Sequence, residues 1–272
     1  DILQSYADND SRIRIINQAN AGAAAARNVG LETISGEYFI FVDADDYISV
    51  DFIAKTLTAA ITHCCDMVLT SIMSNGNDSG MYFSGLQKFN PLYFRVINPG
   101  PVAKLYKRSI VERHKIRFPE DMKIAEDYVF SSLYAARAET LYAIQEPLYY
   151  YCFESESSLI HKFLRGELSY EQYQRNMEAP WRVYCGLLAD SGEKNSDFIS
   201  RCAVVLYGEL CRLYYENKQY LSAEEKRKLT AAYKLKCKDF SKHVNIFQRI
   251  FTWQRHPRLY QGLKRARKWL KA

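Results

Sequence analysis

No stretch of this sequence approaches the roughly 18 consecutive apolar residues that a membrane-spanning helix needs. There is no C-x-x-C pair. The seven cysteines are an odd number, and two of them are adjacent, Cys64 and Cys65. That usage argues against a disulfide framework or a zinc site and for a reducing compartment. No internal repeat and no low-complexity linker interrupts the chain, and the first residues do not have the pattern of a signal peptide. An initiator Met is also lacking. The opening "DILQSYADNDSRIRIINQ" reads as the tail of a helix (Ile2, Leu3, Tyr6), a polar turn, then a strand from Arg12 to Ile16. A domain rarely begins with the end of a helix, so a segment upstream is expected.

What is present suits a folded α/β protein. The 272 residues are 48% hydrophobic, enough for a sizeable core in one or two domains. Aromatic residues are abundant, with 21 Tyr and 14 Phe, and charged residues make up an ordinary 25%. The net charge of +6 is modest but gathers toward the C-terminus. Ala21 to Ile34 is Ala-rich and reads as a helix, with Gly36 placed to stop it. Tyr38 to Val42 follows as a continuous apolar strand, the pattern of a strand covered on both faces in a parallel sheet. Strand, helix and strand make a βαβ unit, and ligands bind beyond the carboxyl ends of such strands.

Asp43, Asp45 and Asp46 stand at that position. Three carboxylates within four residues repel unless a positive group lies between them. A hard divalent cation with oxygen ligands would relieve the repulsion, and its open positions would hold nucleotide phosphates. The plainer reading is a turn, with Asp46 or Ser49 capping the next helix. An EF-hand loop is excluded, because its sixth position needs Gly and holds Ile48. A phosphatase D-x-D-x-[TV] is excluded by Tyr47.

The order of residues around this cluster resembles a known family. Asn20, Gly22, Ala26, Arg27, Asn28 and Gly30, then Gly36-Glu37-Tyr38, then Asp43-Ala44-Asp45-Asp46, are collinear with the donor-binding core of inverting family 2 glycosyltransferases. Ala21-Gly22-Ala23-Ala24 is a mild departure from that pattern. Further along, Lys104 to Lys107, Arg117-Phe118-Pro119-Glu120, Glu126-Asp127-Tyr128-Val129-Phe130 and Tyr149 to Ile160 look like the family's acceptor half.

The resemblance implies a GT-A fold. This is a Rossmann-like, mostly parallel sheet with helices on both faces, here N-terminally incomplete, over residues 1–162. A helical region follows over 163–272. It also implies roles. Asp43 would contact the nucleoside, and Asp45, with Asp43, would ligate Mg²⁺ or Mn²⁺ on the diphosphate. Asp46 would support the metal or the loop. Asn20, Arg27 and Asn28 would bind the nucleotide, the arginine through its planar fork of donors. Asp127 would be the base that takes the acceptor proton, helped by Glu126, at a helix start that tolerates negative charge. His161 is a candidate further metal ligand, and Ser157 and Ser158 would close over the diphosphate.

Each role has a plainer rival. Arg27 could pair with Glu32 on a helix surface, Asn28 could be a structural hydrogen-bonding residue, and Glu126-Asp127 could be ordinary first-turn acids. The Tyr149-Tyr150-Tyr151 run reads mainly as strand packing.

Residues 163–272 carry apolar residues at helical spacing, and Ser222 with Glu225 forms a capping box. At the end, Leu259, Leu263, Ala266 and Leu270 form one stripe ringed by Arg258, Lys264, Arg265, Arg267, Lys268 and Lys271. Residues 257–272 would lie on an anionic membrane surface, or pack on their own domain with a solvated basic face. No nucleic-acid-binding module accompanies the charge, so no nucleic-acid partner is expected.

The expected function is transfer of a sugar from a nucleotide-sugar, a UDP-sugar by preference, to a glycan or lipid-linked acceptor. The setting would be capsule or other surface polysaccharide biosynthesis, in the cytoplasm or at the inner face of the plasma membrane. Two alternatives remain open: a chain that keeps the fold without binding a donor, and a nucleotidyltransferase.

Overall fold

The computed structural model of the chain describes residues 2–81, 83–91, 93–96, 100–152, 162, 165–190 and 196–244. The first elements are α1 (Ile2–Ala7), α2 (Ala23–Thr33), β1 (Tyr38–Ile40), β2 (Tyr47–Ile48), α3 (Phe52–Thr62) and β3 (Met67–Ser74). There follow β4 (Asn77–Asp78), β5 (Gly85–Lys88), α4 (Tyr93–Val96), β6 (Lys104–Lys107), α5 (Arg108–Arg113), α6 (Glu126–Ala135) and β7 (Thr140–Tyr151). Three long helices complete the described chain: α7 (Tyr170–Asp190), α8 (Ser196–Lys218) and α9 (Ala223–Phe240).

The central strand order is β1-β6-β3-β7-β2, with β4 on β3 and β5 on β7. The sheet is mixed rather than mostly parallel: β3 pairs parallel with β7, and the other pairings are antiparallel. β1 corrects a second expectation. It lies at the end of the strand order, so Tyr38 and Ile40 are only half-buried around Phe39. The strand buried on both faces is β3, closed from Met67 through Ile72. Residues 12–16, expected to be a strand, are irregular, and Ile13, Ile15 and Ile16 are exposed.

Helices cover both faces, as the two-residue period of β3 requires. Met67 and Leu69 join α2 (Ala24, Leu31) and α6 (Phe130, Tyr134) in one core. Val68 faces the other way, toward Ala59 and Ala60 of α3. A further helical layer of α7, α8 and α9 packs on the outer side of α6, through Val129 and Leu133. Gly186 lets α7 come close to α6, since a Cβ there would lie 2.9 Å from the Leu133 side chain. The capping box stands as expected, Ser222 and Glu225 each bonding the other's backbone at the start of α9.

The geometry of this sheet fixes where the acidic turn falls. β1, β3 and β7 all run in the same direction, and β1 and β2 lie at opposite ends of the central strand order. The chain from Phe41 to Asp46 therefore crosses from one side of the sheet to the other over the carboxyl ends of its strands. This is the edge where α/β sheets hold ligands.

Candidate active site

Local chemistry prepares three pieces. α2 starts behind Gly22, whose φ of +89° favours glycine. Asn20 lies just before it, exposed, its side-chain oxygen accepting from the Gly22 N–H at 3.1 Å. The Ala-rich start of α2 packs closely on the sheet and sets Arg27 on the side facing the acidic turn. In that turn, Asp46 N donates to Asp43 O at 3.1 Å. The turn is pinned by Tyr149: its phenol donates to Asp46 Oδ2 at 2.6 Å and accepts from the Asp43 N–H at 3.2 Å. Cys152 N donates to Asp46 Oδ1 at 2.9 Å. The third piece is the start of α6, where Glu126 and Asp127 occupy the first turn behind Ala125 in a left-handed conformation, φ 61°.

Arg27 joins the pieces. Its guanidinium donates to Asp127 Oδ1 at 2.8 Å and to Asp43 Oδ1 at 2.9 Å, and lies 3.7 Å from Glu126. It rests over the ring of Phe118, 5.5 Å from the centroid, and Phe118 stacks on Phe130 at 4.0 Å. A planar fork backed by an aromatic face suits Arg and not Lys. Burial works against the Arg27 charge, but Asp127 and Asp43 outweigh it and hold its pKa above the ordinary value.

Asp127 is shifted the opposite way to most paired carboxylates. Burial and the neighbouring Glu126 carboxylate push its pKa well above the ordinary carboxylate range, despite Arg27. Its side chain keeps 32% exposure, so a substrate proton can reach it. Beneath lies Lys104, 1% exposed, donating to the carbonyls of Gly100 and Val102. Burial pushes its pKa down to about 7, with Asp127 pulling the other way.

Residues 1–115 match the family model "Glycosyl transferase family 2". EpsH of Bacillus subtilis (strain 168), described as a putative glycosyltransferase, is 31% identical over 164 residues, 56% of this chain and 47% of EpsH. EpsJ of the same organism is 30% identical over 194 residues, 64% of this chain and 55% of EpsJ. The chain thus spans about half the length of these relatives. The crystal structure of Staphylococcus aureus TarS 1–349 in complex with UDP-GlcNAc superposes with a TM-score of 0.65 at 19% identity. It covers 85% of this chain and 66% of that one. Residues 1–115 are a glycosyl transferase family 2 domain. The chain's fold is the GT-A type, with the mixed sheet described above.

The expected site residues divide, those up to residue 115 lying inside the matched stretch and the others beyond it. Arg27, Asp43, Glu126 and Asp127 converge, and the pairing of Arg27 is with these acids. Asn20 lies at the start of α2, and Asp45 is exposed at the tip of the acidic turn. Asn28 is 7% exposed and its amide is engaged by the protein itself. Its amide donates to Phe118 O and Glu120 Oε1, both at 2.9 Å, and accepts from Phe118 N at 2.9 Å. The structural reading of that residue is the one the geometry supports.

Ser157, Ser158 and His161 lie outside the described residues, as do residues 257–272. Among the described residues, no cluster of three His, Cys, Asp or Glu side chains could hold a metal by itself. No described helix is long and apolar enough to cross a membrane.

Two contributors escaped the sequence reading. Tyr149 reads as strand packing, yet its phenol ties the acidic turn together. Lys104 belongs to a recognisable K-L-Y-K segment, but nothing in that segment says that the ammonium is buried near Asp127.

Proposed function

We propose that this chain transfers a sugar from a nucleotide-sugar, a UDP-sugar by preference, to a glycan or lipid-linked acceptor with inversion, in the building of a surface polysaccharide. The observation that carries the reading is the Arg27 bridge. It holds a donor-side carboxylate, Asp43, and a candidate base, Asp127, 2.9 and 2.8 Å from one guanidinium. Support for the donor and acceptor class comes from TarS of Staphylococcus aureus (strain Mu50), a poly(ribitol-phosphate) beta-N-acetylglucosaminyltransferase that is 25% identical over 159 residues.

Inverting transfer is one displacement at the anomeric carbon. Asp127 takes the proton of the attacking hydroxyl on a carboxylate oxygen, and its raised pKa suits a base working near neutrality. Arg27 and Glu126 fix its orientation. Asn20 and Asp43 line the donor end, where Asp43 would meet the nucleoside.

The donor set suits Mg²⁺ or Mn²⁺. Such ions take one or two carboxylates and complete their shell with substrate phosphates and water, so a protein cage of three ligands is not required. Asp45, exposed at the turn tip, and Asp43 would hold the ion, with His161 a further candidate, whereas Asp46 is already engaged by Tyr149 and Cys152. When bound, the ion supplies positive charge to the departing diphosphate.

The test is release of UDP from UDP-GlcNAc and UDP-glucose, with and without Mn²⁺, by the unchanged chain and by Asp127→Asn. Turnover by the unchanged chain and its loss in the variant is the expected result. Equal turnover by both would remove Asp127 from the base role.

A further inference from the structure

Between α5 and α6, residues 117–125 form no helix or strand, yet they are held from two sides. From α2, Asn28 engages both the N–H and the C=O of Phe118 and the carboxylate of Glu120. From α7, Arg182 donates to both carboxylate oxygens of Asp121, one of them at 2.8 Å. Arg175, two turns earlier on α7, lies 3.6 Å from the same carboxylate. The apolar side chains divide in the same way. Phe118 belongs to the core beneath the sheet, and Met122 to the core of the helical layer. The segment ends at Ala125, whose left-handed φ of 61° persists in a non-glycine residue only when its surroundings over-determine it. That residue sets the angle at which Glu126 and Asp127 enter α6.

The geometry points to Arg182 and Asp121 as positioning residues for the transfer, a bidentate pair through which the helical layer aims Asp127. The inference rests on Asp127 being the base. Asp121 is half-exposed and Arg182 about a quarter exposed, so the pair contributes little to global stability. Its geometry is nevertheless that of the strongest ion pairs, two parallel bonds from one planar fork. The Arg182 guanidinium holds the Asp121 carboxyl below the ordinary carboxylate range. A contact of that kind restrains position more than it resists unfolding, and a misplacement of about 1 Å at a reacting group is enough to slow chemistry sharply.

The experiment measures kcat and KM for UDP release from UDP-GlcNAc and UDP-glucose, together with the melting temperature. The variants are Arg182→Gln, Asp121→Asn, Arg182→Lys, and the charge swap Arg182→Asp with Asp121→Arg. The two neutral variants are expected to lower kcat about tenfold while KM stays within about twofold. Arg182→Lys should recover part of the loss and the swap most of it, with melting temperatures close to that of the unchanged chain. Wild-type kcat in the neutral variants overturns the proposal. So does a fall in kcat that tracks the melting temperature and is not rescued by the swap. If Arg182→Gln does not fold, Asp121→Asn decides alone, since the exposed carboxamide leaves the backbone contacts of the segment in place. Asp127→Asn, run in parallel, separates the two readings. If it turns over normally, the base assignment fails. If it is inactive while the Arg182 and Asp121 variants are normal, only the positioning role fails. No UDP release by the unchanged chain overturns both.

Discussion

Arg27 and Asp127 are 100 residues apart in the chain and 2.8 Å apart in space. The same guanidinium reaches Asp43, so one cation takes up the repulsion between the acidic turn and the start of α6. Substitutions at this junction should therefore separate binding from chemistry.

Asp127→Asn is expected to lower turnover by roughly 10²-fold or more, the usual worth of a general base. The amide keeps the shape of the carboxylate, so donor affinity should change little. Titration calorimetry with UDP-GlcNAc, beside a UDP-release assay, reads the two effects separately.

The pH profile should carry the sign of the Asp127 shift. Its folded-state pKa is raised by burial and by Glu126, and the base works only when ionised. Turnover at saturating donor should fall as pH drops through that raised value, well above the ~4 of an ordinary Asp. Arg27→Gln removes the cation that favours the ionised form, so the acidic limb should move to still higher pH. A limb that stays in place, or moves down, contradicts the role given to Arg27. The same shift lowers stability as pH rises between the ordinary and the raised value, because there the folded state binds more protons than the unfolded one.

Asp45→Asn should abolish the divalent-metal-dependent part of donor binding. Asp45 is exposed at the tip of the turn, where an ion on the diphosphate would sit. Calorimetry of UDP-sugar binding with and without Mn²⁺ checks it, and an unchanged metal dependence in the variant sinks the assignment.

Tyr149→Phe removes the phenol that bonds both Asp46 and the Asp43 N–H. Two polar groups lose a partner, at a cost of about 1–3 kcal/mol if they stay dry. Chemical denaturation should register that loss, and donor affinity should weaken because the acidic turn is no longer held. Full donor affinity in a destabilised variant would separate Tyr149 from the site.

Deleting residues 257–272 should reduce binding to anionic liposomes at low salt, an attraction that weakens as salt rises. Equal sedimentation of the two forms with the liposomes would favour a basic face that is merely solvated.

The parts of the fold that could be read from the chain are those decided by neighbours in sequence. The Ala-rich run makes α2, and Ser222 with Glu225 caps α9, each through interactions within a few residues. The turn at Asp43–Asp46 was legible for the same reason. Asn28 was not. It sits beside Arg27 and looks equally suited to a ligand, but a helix turns about 100° per residue, so the two side chains face different surroundings.

By itself, then, the sequence determined the helices, the acidic turn and its place after a strand, and the kind of chemistry those residues permit. The tertiary structure alone decided that the sheet is mixed, that β1 ends the strand order, and that Arg27 serves Asp127 while Asn28 serves Phe118. It also placed the Tyr149 phenol on the acidic turn and the Arg182 guanidinium on Asp121. Strand order and contacts 61 to 106 residues apart depend on which apolar faces bury together, and no local propensity encodes that choice.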